Sequence, residues 1–216
     1  MMALVIFDLD GTLLNTIDDL GEAANYALEA SGYPQHSLAS YPLYVGNGIS
    51  KLIERVLPDD ARTPEIVARV RVKFQEYYNE HLWEHTKPYP GITEVLRALN
   101  DMNINIAVAS NKYHEATTRL VEHFFGDLKW GAVEGQKEGF PLKPDPSIVF
   151  DILTKVPTPK AEVLYVGDSA VDIETARRAC VASCGVTWGF RNVKELRKAY
   201  AEHIVNRPSE IIDIAP

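Results

Sequence analysis

Short apolar runs alternate along this chain with longer amphipathic stretches. The runs Ala3–Phe7, Ile104–Ala109, Val163–Val166 and Ser183–Thr187 are brief and continuous, as suits strands covered on both faces. Between them the apolar spacing turns helical. Such an alternation predicts an α/β fold, a doubly wound and largely parallel sheet. The first three runs end in polar residues: Asp8, Ser110 and the pair Gly167-Asp168. Ligands of open parallel sheets bind beyond the carboxyl ends of the strands, so these termini are where chemistry is expected.

The stretch from Asn15 to about His85 departs from this alternation. Ile17, Leu20, Ala24, Ala27 and Leu28 follow a helical stripe that Thr16 is placed to cap. Ile49, Leu52, Ile53, Val56 and Leu57 form a second stripe, and Thr63-Pro64 opens a third that runs through Ile66, Val70, Phe74 and Tyr77. About 70 residues thus read as helical with no strand among them. The economical organisation is a helical domain, 15–86, inserted into an α/β core made of 1–14 and 87–216. Hinges are expected near Leu13–Thr16 and His85–Pro90.

Composition narrows the class. Of 216 residues, 46% are hydrophobic and 24% charged, a balance that excludes collagen-like, disordered and disulfide-scaffold chains. Cys180 and Cys184 are too few for a disulfide framework and read as free buried thiols in the cytoplasm. No apolar run reaches the length of a membrane span, and the N-terminus lacks the cationic flank of a signal peptide. The net charge of −8 argues against a nucleic-acid partner. It also requires that any anionic substrate be met by locally concentrated positive charge.

That requirement gives weight to the segment DLDGT, Asp8–Thr12. Two carboxylates two residues apart on an extended chain face the same side, and glycine lets the backbone turn sharply after them. A turn after a strand would also use Asp and Gly. A second pair, Asp168 and Asp172 in GDSAVD, follows another strand, however. Clustered carboxylates need a cation or a shared proton, and together these two pairs can offer an oxygen-rich site for a hard divalent ion, with Mg²⁺ expected.

Four segments, FDLDGT, ASNK, LKPDP and GDSAVD, occur in the order and spacing of the haloacid dehalogenase superfamily of phosphotransferases, which the chain resembles along its length. The resemblance implies roles residue by residue. Asp8 would be the nucleophile forming an aspartyl-phosphate, and Asp10 the acid that protonates the leaving alcohol and later the base that activates water. Asp8, Asp10 through its backbone carbonyl, and Asp168 would hold Mg²⁺, with Asp172 supporting the metal through water or by orientation. Ser110, the Asn111 backbone N–H and Lys143 would bind the phosphoryl oxygens. Lys143 lies beside a proline-started helix, whose N-terminal N–H groups favour anions. An acid at position 10 implies an oxygen leaving group rather than halide.

The helical insertion resembles the small cap of this superfamily, and YVGNGISKLIERVL resembles the cap loop of bacterial phosphoglycolate phosphatases. Gly46, Asn47 and Gly48, with Lys51, are candidate substrate contacts there. Asn15 departs from the Asp common among relatives. The implied activity is a Mg²⁺-dependent phosphomonoesterase on a small phosphorylated metabolite, phosphoglycolate leading. Other sugar phosphates, nucleoside monophosphates, pyrophosphate and a phosphomutase of the β-phosphoglucomutase type stay open. No nucleic-acid or membrane partner is implied, and a monomer or homodimer is expected. His81 and His85 have the spacing of helical metal ligands without a third partner, His114 reads as a helix-start residue, and Trp188, Phe190 and Tyr77-Tyr78 read as packing.

Overall fold

In the computed structural model, which describes residues 3–216, the first apolar run is strand β1 (Leu4–Phe7), with all four side chains fully buried. The chain continues through β2 (Leu14–Asn15), α1 (Ile17–Glu29), α2 (Ile49–Val56), α3 (Pro64–Glu80) and β3 (Lys87–Pro88). Then follow α4 (Ile92–Asp101), β4 (Asn105–Tyr113), α5 (His114–Phe125), β5 (Trp130–Gln136), α6 (Ser147–Lys155) and β6 (Val163–Gly167). The chain closes with α7 (Ala170–Ala179), β7 (Ala182–Val186), α8 (Val193–Lys198), β8 (His203–Val205) and α9 (Glu210–Ile214).

Six strands form one sheet in the order β5-β4-β1-β6-β7-β8, and each neighbouring pair is parallel. The order reverses at β1, which pairs with β4 on one side and β6 on the other. That reversal opens a crevice at the carboxyl ends of these three strands. Against one face pack Ile148, Val149 and Ile152 of α6 and Ala176 and Ala179 of α7, all in one buried cluster with Leu4, Ile6, Ala107 and Tyr165. Removing such apolar surface from water is what commits the strand residues to the interior.

Four strands have no signature in the sequence: β2 and β3, which pair with each other in a separate two-stranded sheet, and β5 and β8, which are the edges of the six-stranded one. Edge strands are covered less fully and tolerate the glycines and charges of WGAVEGQ, which erase the apolar run. The fourth expected strand is shifted by one residue, to Ala182–Val186.

The structure divides into two compact units, one comprising residues up to Asn15 with Pro88–Pro216, the other Thr16–Lys87. The second unit is helical. Thr63 caps α3 through its side chain, which accepts from the Ile66 N–H at 3.3 Å. Thr16 precedes α1 but its side chain makes no capping bond, contrary to expectation. Its neighbour Asp19 has another task. Asp19 is 2% exposed, and its carboxylate accepts from the His85 N–H at 2.9 Å and from the Thr86 N–H and hydroxyl at 2.8 and 2.6 Å. This clasp joins the beginning of the helical unit to its end, so both chain crossings stay side by side. Asp19→Ala strands three donors and should lower the unfolding free energy by roughly 3 kcal/mol, with Asp19→Asn intermediate, in urea titrations.

Candidate active site

The register of the sheet brings the site together. Phe7 lies opposite Val108 and Val166, so Asp8 emerges level with Ala109 and Gly167. The Asp8 N–H still donates to the Val166 carbonyl at 2.9 Å, which anchors the residue at the strand end. Beyond it the chain folds on itself. Leu13 and Leu14 N–H groups both donate to the Leu9 carbonyl at 3.0 Å, and Gly11 donates to Leu14 at 2.8 Å. Gly11 adopts φ of 86°, in the region that favours glycine, and a Cβ there would lie 2.6 Å from Asp168 Oδ2.

Lys143 is the hub. Its side chain is 2% exposed, and its three N–H donors reach Asp8 Oδ1 at 2.9 Å, Asp172 Oδ1 at 2.7 Å and the Ala109 carbonyl at 2.9 Å. Ala109 also accepts from the Tyr165 hydroxyl at 3.2 Å. The backbone on either side of the lysine is gripped by Asn111, whose Oδ1 accepts from the Lys143 N–H at 2.8 Å and whose Nδ2 donates to the Lys143 carbonyl at 3.2 Å. Asn111 thus contributes its side chain as a fastener, beyond the backbone role expected of it. The helix beside Lys143 is not open to an anion in the expected way. The Asp145 carboxylate already accepts from the Ser147 N–H and hydroxyl at its start.

The two acids of GDSAVD divide the work. Asp172 Oδ2 accepts from the Ser169 N–H at 3.1 Å and hydroxyl at 2.6 Å in a capping box at the start of α7, while Oδ1 faces Lys143. Asp168 is steadied by the Phe190 N–H, which donates to Oδ2 at 2.7 Å. Gly189 allows that approach, since a Cβ there would lie 2.5 Å from Asp168 Oδ2 and 2.3 Å from the Gly11 carbonyl. Trp188 Nε1 donates to the Thr12 carbonyl at 3.0 Å. Trp188 and Phe190, which read as packing, therefore support both aspartate segments, with Gly189 between them. No local signal marks them, because their partners lie far away in the chain.

Ser110 is buried at the same edge, and its Oγ accepts from the Lys112 N–H at 3.2 Å. Lys112 Nζ lies 3.2 Å from Asp10 Oδ1. Asp8, Asp10, Ser110, Asn111, Lys112 and Asp168 therefore lie at the carboxyl ends of β1, β4 and β6 or just beyond them, and Asp172 in the first turn of α7 and Lys143 in the loop between β5 and α6 join them there. Four carboxylates face two lysines. Burial raises the Asp8 carboxyl, Lys143 lowers it in part and Asp172 raises it again, with a net value of about 7. Asp168 stands well above the ordinary carboxylate range through burial and the repulsion of Asp172 and Asp8. Burial alone would lower Lys143, but Asp172 and Asp8 overcome it and hold the ammonium well above its usual value.

Gly46, Asn47 and Gly48 belong to the helical unit. Gly46 and Gly48 have φ of 111° and 80°, and Asn47 Oδ1 accepts from Arg55 Nη2 at 2.7 Å. Arg55 also donates to the Tyr44 carbonyl at 2.8 Å and so ties the loop to α2. Lys51 pairs with Glu54. α3 ends at Glu80, so His81 and His85 do not share a helix face; His81 stacks on Tyr77 at 3.9 Å and His85 lies 3.4 Å from Glu22. His114 starts α5, as expected, and its Nδ1 accepts from the Gly135 N–H at 3.2 Å. Cys184 is buried, but Cys180 is exposed, correcting the reading of both as buried; it caps the end of α7 with φ of 59°.

Gly189→Ala should lower the unfolding free energy by about 1–3 kcal/mol through overpacking against Asp168. Gly32, where nothing lies within 4 Å, supplies the contrast: its φ of 77° makes Gly32→Ala costly by only about 1 kcal/mol in the same urea titration.

Comparison with known proteins places this geometry. The profile of the haloacid dehalogenase-like hydrolase family matches residues 5–186. The phosphoglycolate phosphatase of Thiobacillus denitrificans is 36% identical over 202 residues, covering 89% of this chain and 87% of that protein. That of Vibrio cholerae is 32% identical, covering 98% and 96%. A crystal structure from Lactobacillus delbrueckii subsp. bulgaricus, whose proposed identity is phosphoglycolate phosphatase, superposes with a TM-score of 0.92 at 31% identity and covers 99% of this chain and 98% of its own. Among the described residues no helix is long and apolar enough to cross a membrane. The chain belongs to the haloacid dehalogenase-like hydrolase family and is a phosphatase of the phosphoglycolate phosphatase-like kind.

Proposed function

We propose that this phosphatase hydrolyses a small phosphomonoester by transferring the phosphoryl group to Asp8, with phosphoglycolate as the substrate. The observation that carries the reading is the buried ammonium of Lys143 beside the Asp8 carboxylate, with Asp10 two residues further along the same turn. An Asp8 oxygen attacks phosphorus in line, and the bond to the substrate's alcohol oxygen breaks. Asp10 gives its proton to that departing oxygen. In the second half, Asp10 takes a proton from water as the water attacks the phosphoryl group, and the bond to Asp8 breaks to free phosphate and restore the carboxylate. Lys143, the Ser110 hydroxyl and the Asn111 N–H bind the phosphoryl oxygens throughout.

The donor set fits Mg²⁺. Asp8, Asp168 and Asp172 offer carboxylate oxygens within 4.8 Å of one another, all hard ligands, in a place where four carboxylates exceed two lysines. We assign Asp8, the Asp10 carbonyl and Asp168 as the residues that would hold the ion. Asp172, with its oxygens engaged by Ser169 and Lys143, serves as the group that orients Lys143. When bound, Mg²⁺ supplies charge neutralisation between the Asp8 carboxylate and the phosphate. The choice of phosphoglycolate rests on the relatives carrying that name. The exposed free thiol of Cys180 suits a reducing compartment, and we place the enzyme in the cytoplasm.

A phosphate-release panel with and without Mg²⁺ tests the reading: phosphoglycolate should exceed other sugar phosphates, nucleoside monophosphates and pyrophosphate in kcat/KM. Asp8→Asn should lower turnover by about four orders of magnitude or more and abolish the borohydride-reducible phosphoenzyme trapped at Asp8 in the wild type. Undiminished turnover in that variant would refute the covalent route.

The raised carboxyls carry a pH consequence. Around Asp8, the folded state keeps a proton that the unfolded state releases between the ordinary value of 3.8 and about 7. Raising pH through that window therefore favours unfolding of the metal-free protein. Thermal unfolding in EDTA should show the melting temperature falling as pH rises from about 4 to 7 on this account. Added Mg²⁺ should oppose the fall, and its apparent affinity should strengthen by up to about tenfold per pH unit as protons cease to compete.

A further inference from the structure

Lys112 ends the ASNK segment and has no part in the phosphoryl transfer described above. Its side chain is nonetheless 3% exposed, with Nζ 3.2 Å from Asp10 Oδ1. Interring an ammonium is costly unless a carboxylate meets it with good geometry. Both ends of the Lys112 backbone are fastened: the N–H donates to Ser110 Oγ at 3.2 Å, and the carbonyl accepts from Thr117 Oγ1 at 3.2 Å. Gly135 of β5 presses on the same carbonyl so closely that a Cβ there would sit 2.7 Å from it. The pairing of β4 with β5 shifts register between Ala109 and Tyr113, the stretch that carries Ser110, Asn111 and Lys112.

Lys143 meets a different set of partners. Its N–H donors reach Asp8, Asp172 and the Ala109 carbonyl, so the nucleophile and the second acid of DLD are met by different lysines.

We propose that Lys112 is the positioning residue for Asp10: its ammonium donates to Asp10 Oδ1 and holds the carboxyl group so that the other oxygen, which carries the proton, is aimed at the leaving oxygen. The inference rests on the assignment of Asp10 as the acid. It acts through geometry, so its signature is selective for reactions in which the leaving group needs a proton.

Two esters separate the cases. Phosphoglycolate, or whichever alkyl phosphate the enzyme turns over best, expels a basic alkoxide; p-nitrophenyl phosphate expels a stabilised phenolate that needs little protonation. The comparison uses kcat/KM, which covers steps only through the first irreversible one, the transfer onto Asp8. Lys112→Met should lower kcat/KM for the alkyl ester about tenfold more than for the aryl ester, and Lys112→Arg should recover part of the difference. In an Asp10→Asn background the same substitution should cost less than about twofold further on the alkyl ester. Equal losses on both esters, or an undiminished loss in the Asp10→Asn background, would overturn the proposal and leave Lys112 a folding or phosphate contact. Should Asp10→Asn itself show no selectivity between the esters, the acid role of Asp10 falls, and the Lys112 proposal with it. If Lys112→Met does not fold by circular dichroism, Lys112→Arg carries the same cycle, since a guanidinium of different reach should still penalise the alkyl ester selectively.

Discussion

The ammonium of Lys143 is the interaction on which the strand ends depend. Four carboxylates share one crevice, and burial raises two of them, Asp8 and Asp168. Lys143 offsets part of the repulsion at the point where Asp8 and Asp172 converge, and it is secured by a third bond to the Ala109 carbonyl. Its own backbone is pinned by Asn111. A lysine so confined keeps its charge because its neighbours are anionic, and those neighbours stay close because it is charged. This mutual dependence keeps Asp8, Asp172 and Lys143 together at the strand ends.

The protein reaches this concentration of charge through a parallel sheet whose strand order reverses at β1. At such a reversal the loops on either side diverge, so three strand ends can offer side chains without their following segments colliding. The loops are then drawn inward by bonds made across the sequence. Phe190 donates to Asp168, Trp188 to Thr12, and Gly11 and Gly189 remain without side chains so that their backbones can close around the Asp168 carboxylate. Small residues here serve close approach more than flexibility. The helical unit is organised by comparable means, Asp19 drawing its two ends together and Arg55 securing the loop of Gly46 and Gly48.

How far each feature could be read along the chain follows from the range of the force behind it. The strands β1, β4 and β6 were legible because burial on both faces demands uninterrupted apolar residues. The edge strands β5 and β8 were not, since an edge admits glycine and charge. The cap at Thr63 was legible from the Thr-Pro pair, yet Thr16, equally suited by type, makes no capping bond. Asp8 and Asp10 stood out through their spacing. Lys112 did not, because a lysine near the end of a strand is ordinary until its distance to Asp10 is known.

The sequence by itself determined the fold class, the helical insertion and the identity of the acidic, lysine and serine segments, because periodicity, spacing and motif order are properties of neighbouring residues. Only the tertiary structure decided which lysine serves which aspartate, that Asp172 is held by Ser169 and Lys143, that residues 188–190 support Asp168, and that Cys180 is exposed. Those outcomes depend on distances between segments remote in the chain. Such distances are set by the packing of the whole sheet and its helices, and no local pattern encodes them.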